Sequence, residues 1–356
     1  MWTENAHMTN RVHDQTLPVQ NSASGAARLI PPALVERLRA LNGLDVLPDL
    51  DLGRFSRWKI GGTADCVVCP RSTAALREVI QLAREAGVPV TVIGLTTNLL
   101  FAQEGVRALV IHLGPQFAGM RITGNRVWGQ AGVWVPGFAR RAAKAGLSGI
   151  EHLAGIPGTL GGLICMNGGS QRKGIGDHLV SATALDLDGT LHTYDRAQCG
   201  FAYRTSVFQQ NHQIITEAEF EYETARDAKA VRREMKHILE DRRRKFPQKL
   251  PNCGSVFVSN PALYASVGPP GAVIEKCGLK GTTRGGAEIS HLHANFIVNR
   301  GGATTADVLY LIDLIRTRVQ QETGCDLEAE AKYVDTLGRF SPAHVAARQQ
   351  AQEHIA

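Results

Sequence analysis

Gly149-Ile150-Glu151-His152-Leu153-Ala154-Gly155-Ile156-Pro157-Gly158-Thr159-Leu160-Gly161-Gly162 is the stretch whose reading decides the fold. Five of its fourteen residues are glycine, which argues against a helix or strand interior and for a loop. A backbone without Cβ atoms lets N–H groups approach phosphate oxygens closely. Met166-Asn167-Gly168-Gly169 continues the same character downstream. A second such loop, Gly94-Leu95-Thr96-Thr97-Asn98, lies upstream, directly after the apolar run 88–93. Neither loop is the GxGxxG turn of a dinucleotide fold, and neither is a Walker loop with GK[ST]. Taken alone, glycine in a tight turn explains each loop equally well.

Around these loops the hydrophobic period alternates between strand and helix. Cys66–Val68, 88–93 and 107–113 read as strands, with a helix over 72–86 between the first two, capped by Ser72 and stopped at Gly87. A hairpin is expected around Gly124-Asn125, a helix over 135–145, and a second hairpin across Asp188-Gly189. The run 213–222 alternates as a strand. A third unit opens with a helix over 227–246 and holds a strand over 294–298 and a helix over 305–323. The tail 342–356 reads as a polar helix or a disordered end, and residues 1–28 as a disordered extension. The expected division is 29–115, 116–224 and 225–340.

At 356 residues, 44% hydrophobic and 20% charged, the chain suits two or three packed cores. No apolar run nears the roughly 20 residues that span a bilayer, and the N-terminus lacks the apolar stretch of a secretory signal. A cytoplasmic, monomeric enzyme without membrane contact is the expectation. The net charge of +6 suits anionic small molecules. The basic run Arg242-Arg243-Arg244-Lys245 ends a helix, where cations complement the dipole, and no aromatic residues interleave, so nucleic acid is not expected. The seven cysteines are odd in number and read as free thiols. Cys66 and Cys69 form a CxxC, but on a strand residues three apart face opposite ways, and no second pair completes a metal site.

Six segments, in order, resemble the motifs of the UDP-N-acetylenolpyruvoylglucosamine reductase (MurB) family. They are 60–65 (IGGTAD), 149–168 (with GIPGTLGG and MNG), 201–208 (FAYRTSVF), 251–257 (PNCGSVF), 293–299 (HANFIVN) and 328–332 (EAEAK). The resemblance implies an α+β fold: a two-part FAD-binding domain of the vanillyl-alcohol-oxidase type, followed by a MurB-type substrate domain. It implies hydride transfer from NADPH to non-covalent FAD, then to the enolpyruvyl ether of a UDP-sugar, in peptidoglycan precursor synthesis. It assigns FAD contacts to Gly94, Thr96, Thr97, Asn98, Gly155, Ile156, Pro157, Gly158, Thr159, Gly161, Gly162, Asn167 and Gly168.

The chemistry states which side chains that reaction needs. Hydride addition pushes negative charge onto the substrate carboxylate, which calls for a cation and a hydrogen-bond donor. Arg204 suits the first role through its guanidinium fork. Glu330 suits the second if protonated, which burial favours. Ser255 is the matched proton donor. Tyr203 and Asn295 are expected substrate contacts, and His152 and His293 structural. No metal is expected.

The chain also departs from the family pattern. Leu95 and Thr96 stand in the permissive middle of the first loop, so any need for a positive φ there is expected to be relaxed, with the Thr96 and Thr97 hydroxyls free to meet phosphate. Lysines that could serve a substrate diphosphate are missing at two places, with Arg172, Lys173, Lys276 or Lys280 as substitutes. Another nucleotide-sugar enol ether, or a non-catalytic flavin binder, therefore remains an alternative.

Overall fold

The computed structural model describes residues 29–224, 227–259 and 266–353; the expected N-terminal extension lies outside them. The first sheet contains β1 (Leu44–Asp51), β2 (Thr63–Pro70), β3 (Val90–Ile93) and β5 (Val106–His112) in the order β1-β2-β5-β3. β2, β5 and β3 are parallel and β1 is antiparallel. Parallel strands covered on both faces need continuous apolar runs, and seven of the eight residues of β2 are buried. The connecting helix, Thr73–Glu85, is capped as expected: the Ser72 hydroxyl accepts from the Ala75 N–H at 3.1 Å. Cys66 packs in the larger core and Cys69 in a smaller cluster on the other face, so the CxxC is split.

A second, antiparallel sheet holds β6 (Met120–Thr123), β7 (Arg126–Gln130), Leu179–Leu185, Leu191–Asp195 and Ile214–Glu221. Helix Val135–Lys144 packs against it through Phe138, which meets Phe220 edge-on at 5.4 Å. One continuous core runs through both of these sheets.

The C-terminal unit has its own core. It joins the small sheet Thr283–Arg284, Ala287–Ile289, Ile297–Asn299 to helix Thr305–Thr323. That helix starts in a reciprocal cap between Thr304 and Asp307 and ends on left-handed Gly324. Among the described residues no helix is long and apolar enough to cross a membrane.

Several elements escape a sequence reading. β1 was not expected because Pro48 interrupts it, but β1 is an edge strand, where a missing N–H is tolerated. The expected strand over 294–298 occupies only Ile297–Asn299, because the Phe296 N–H turns back to the His293 carbonyl at 3.0 Å. The tail forms a helix, Ala343–Glu353, with Ala343, Ala346 and Ala347 buried. The element that matters most for the site is β4 (Leu99–Phe101), which pairs in parallel with Lys332–Val334. β4 leaves the first loop and enters the C-terminal unit, and the fully buried Leu100 joins that core.

Trp58 fastens the same junction. It comes from the N-terminal segment yet is fully buried in the C-terminal core, with its indole N–H donating to the Ile297 carbonyl at 3.0 Å. Trp58→Ala is expected to cost about 3–5 kcal/mol of unfolding free energy. Trp58→Phe should cost about 1–3 kcal/mol, for the orphaned carbonyl. Denaturant titration of both variants checks this, and a Trp58→Phe protein as stable as wild type would mean that the hydrogen bond contributes nothing.

Candidate active site

The two glycine-rich loops meet. A Cβ on Gly94 would collide with the Thr159 hydroxyl, so only glycine allows the first loop to lie against the second. The Thr97 hydroxyl points to the Pro157 carbonyl at 3.4 Å, a weak contact between the same loops. Thr96 has a φ of 54°, so the left-handed conformation is kept and not relaxed as the sequence suggested. A β-branched residue there is strained. Its hydroxyl accepts from the Arg57 N–H at 2.8 Å, which locks the loop and leaves the hydroxyl proton free to donate. Among the described residues no hydrogen bond engages the N–H groups of Leu95, Thr96 and Thr97. Unpaired N–H groups around a left-handed residue are the makings of an anion-binding concavity, which fits the phosphates of FAD.

The second loop is more structural than its glycines suggested. The Leu160 and Gly161 N–H groups donate to the Val133 and Ala131 carbonyls, both at 2.8 Å, and Thr159 caps the short helix Leu160–Cys165, with the Gly162 N–H 3.5 Å from its hydroxyl. The Ile156 N–H donates to the Leu153 carbonyl at 3.1 Å, and the Gly158 carbonyl accepts from the Val135 N–H at 3.1 Å. Asn167 and Gly168, expected at the cofactor, also make hydrogen bonds within the chain. The Asn167 amide accepts from the Gly176 N–H and donates to the Ala202 carbonyl, and the Gly168 N–H donates to the Leu163 carbonyl. Asn167 thereby braces the segment that carries Arg204.

Arg204 occupies a two-residue turn closed by Ala202 and Thr205. Its φ of 55° is strained for an arginine, and the Gln209 amide holds the turn by donating to the Arg204 carbonyl at 2.9 Å. The guanidinium Nε lies 2.9 Å from a Glu330 carboxylate oxygen, though the N–H is not directed along that line. The guanidinium carbon also stands 5.6 Å from the ring centre of Tyr203, which is 46% exposed.

Glu330 arrives from the far end of the chain. The Asn98 amide donates to its carbonyl at 2.9 Å, and its own N–H donates to the Val256 carbonyl at 2.8 Å. Burial raises its pKa above the usual glutamate range, while Arg204 and then Lys332 oppose the rise. Ser255 lies next to Val256, after left-handed Gly254. Among the described residues no hydrogen bond engages its half-buried hydroxyl. Asn295, expected as a substrate contact, is engaged within the chain. It is buried, and its amide accepts from the Phe257 N–H at 2.8 Å and donates to the Phe257 carbonyl at 2.9 Å. It braces the Ser255 loop.

His152 is buried, and burial takes its pKa down to about 4, so the ring is neutral. His293 accepts from the Asn295 N–H and packs between Phe246 and Phe296. Of the substitute cations, Lys280 is paired with Glu275 at 2.7 Å.

A family profile described as UDP-N-acetylenolpyruvoylglucosamine reductase, C-terminal domain, matches residues 246–334, and an FAD binding domain profile matches 64–195. UDP-N-acetylenolpyruvoylglucosamine reductase 1 of Corynebacterium glutamicum is 43% identical over 302 residues, covering 85% of this chain and 90% of the relative. The enzyme of Heliobacterium modesticaldum is 39% identical over 287 residues, 81% of this chain and 90% of the relative. The chain belongs to the UDP-N-acetylenolpyruvoylglucosamine reductase family. It is an FAD-dependent oxidoreductase. The crystal structure of the family member from Thermus caldophilus superimposes with a TM-score of 0.68 at 31% identity, covering 82% of this chain and 98% of that one. The expected two-part FAD-binding domain with a C-terminal MurB domain is therefore the architecture of this reductase.

Two features of the site were misread or passed over in the sequence. Arg242, read only as part of the basic run that ends a helix, turns inward against Gly155, where a Cβ would strike its side chain, and lies over the Phe246 ring at 4.9 Å. Lys332 was visible only as the end of a motif, and its place beside the first loop comes from pairing with Leu99, a residue distant in the chain.

The raised pKa of Glu330 has a measurable consequence. The folded state binds this proton more tightly than the unfolded chain. Its stabilisation is therefore complete below about pH 4.5, the ordinary value, and is lost as pH rises through the folded pKa. Relative to Glu330→Gln, the wild-type protein should lose unfolding free energy between pH 4.5 and 8. Urea titrations across that range decide it, and a relative gain would contradict the assignment.

Proposed function

We propose that this reductase converts UDP-N-acetylglucosamine enolpyruvate to UDP-N-acetylmuramate with NADPH as electron donor, in peptidoglycan precursor synthesis. The observation that carries the reading is the convergence of Arg204, Ser255 and Glu330 from three separate segments, with Glu330 buried against Arg204. In this reading residues 29–115 and 116–224 hold the flavin and 225–340 the substrate, in the cytoplasm.

The unpaired N–H groups of the first loop would hold the phosphates of FAD, against the Gly155–Thr159 loop. FAD, when bound, supplies the carrier that takes a hydride from NADPH and passes it to the substrate's methylene carbon. The chain's own groups manage the charge. Arg204 draws the substrate carboxylate and stabilises the electron pair pushed onto it. Tyr203, exposed beside Arg204, is a substrate contact. Glu330, whose neutral form burial favours, donates a hydrogen bond to the same carboxylate when protonated. Ser255 delivers a proton to the carbon that bears the ether oxygen, giving the lactyl ether.

Two substitutions separate these roles. Arg204→Ala should leave reduction of the flavin by NADPH nearly intact and slow reoxidation by substrate about a hundredfold or more. Stopped-flow traces with the loss confined to the NADPH step would contradict it. Ser255→Ala should bind the enolpyruvyl substrate with similar affinity but reoxidise about a hundred- to ten-thousandfold more slowly. Ser255→Cys, which keeps a proton donor, should recover part of the rate. Alanine and cysteine variants that both run at the wild-type rate would leave Ser255 a turn residue only.

A further inference from the structure

Lys332 is a charged group at the reaction face that the mechanism above leaves without a task. It follows Glu330 by two residues and opens the strand Lys332–Val334, just after an irregular turn in which the Glu330 and Ala331 N–H groups both donate to the Val256 carbonyl. Its backbone is pinned: the Lys332 N–H donates to the Asn98 carbonyl at 2.9 Å, in register with Leu99. The side chain is partly buried near Cys165, at the end of the short helix that follows the second glycine-rich loop. It thus stands between the two cofactor loops and the substrate side. Among the described residues its ammonium makes no ion pair and no hydrogen bond. Glu330, two residues before it, lies against Arg204 instead.

A partly desolvated ammonium without a partner is unfavourable unless an anion arrives. Formal charges point to which one. Arg204 and Lys332 bring two positive charges. The reaction brings two anions to the same place, the substrate carboxylate and the flavin once it has accepted a hydride with its electron pair. NADPH gives up that hydride and leaves as NADP⁺, so the reduced flavin carries the extra negative charge. Two cations balance two anions when Glu330 is neutral, the state that its burial favours.

We propose that Lys332 balances the negative charge of the reduced flavin and thereby raises its reduction potential, leaving Arg204 for the substrate carboxylate. This rests on the reductase reading above. Lys332 acts on the reduced ring, so binding of oxidised FAD, whose isoalloxazine ring is neutral, does not need it.

The test is the midpoint potential of bound FAD in wild type, Lys332→Met, Lys332→Gln and Lys332→Arg, set with a chemical reductant and a reference dye. Lys332→Met and Lys332→Gln should stay yellow, with oxidised FAD held within a few-fold of wild type. Their affinity for reduced relative to oxidised FAD should fall at least tenfold, a drop in potential of about 30 mV for a two-electron couple. Lys332→Arg should keep the wild-type potential. Affinity for the lactyl ether product should change little in Lys332→Met and fall in Arg204→Ala. An unchanged potential in Lys332→Met overturns the proposal. So does a loss confined to product affinity, which would give Lys332 to the carboxylate. Colourless Lys332→Met and Lys332→Gln proteins overturn it too, because the residue would then serve the fold or the oxidised flavin. Reduction of the wild type by NADPH is scored separately. A protein that NADPH cannot bleach defeats the reductase reading, while the chemically set potentials still judge Lys332.

Discussion

The parallel pairing of Leu99–Phe101 with Lys332–Val334 holds the rest of the site in place. A polypeptide can bring a cofactor loop and a remote carboxylate together in two ways, by docking two finished surfaces or by sharing a strand. Here the strand is shared. The first loop ends at Asn98, whose amide and carbonyl meet Glu330 and Lys332, and β4 then runs into the C-terminal core. Backbone pairing fixes register to one residue, and a slip by one would turn the Lys332 side chain to the opposite face of the strand. Precision of this kind is what a charge-stabilising site requires.

Strain is concentrated at the same place. Thr96 and Arg204 both adopt left-handed backbone that suits glycine or asparagine better. Each is held by a specific bond, Thr96 through the Arg57 N–H and Arg204 through Gln209. Asn167 and Asn295 perform a related task from a distance, clamping the Arg204 and Ser255 segments by backbone hydrogen bonds. Polar residues near a site thus divide into those whose groups stay open to a ligand, such as Ser255, and those whose groups are already used.

Much of the fold was legible because it rests on period and punctuation. The helix over 305–323, the cap at Ser72 and both hairpins follow from apolar spacing and turn residues. The ordered motifs located Arg204, Ser255 and Glu330. What stayed hidden depends on partners distant in the chain. β4 spans three residues and has no local signature; only pairing with the tail makes it a strand. Arg242 is chemically indistinguishable from Arg243, and only the fold decides which of them meets Gly155. Asn167 and Asn295 look like ligand contacts by composition, and their hydrogen-bond partners are read only from coordinates.

The bond between Asn98 and Glu330 closes a loop of 232 residues. Contacts of such separation form late, because chain entropy must be lost before they contribute. During synthesis the first two sheets emerge with their common core complete, while the strand that fixes the reaction face is still within the ribosome. A nascent chain can therefore build the sheets behind both glycine-rich loops before the segment that carries Glu330 and Lys332 exists.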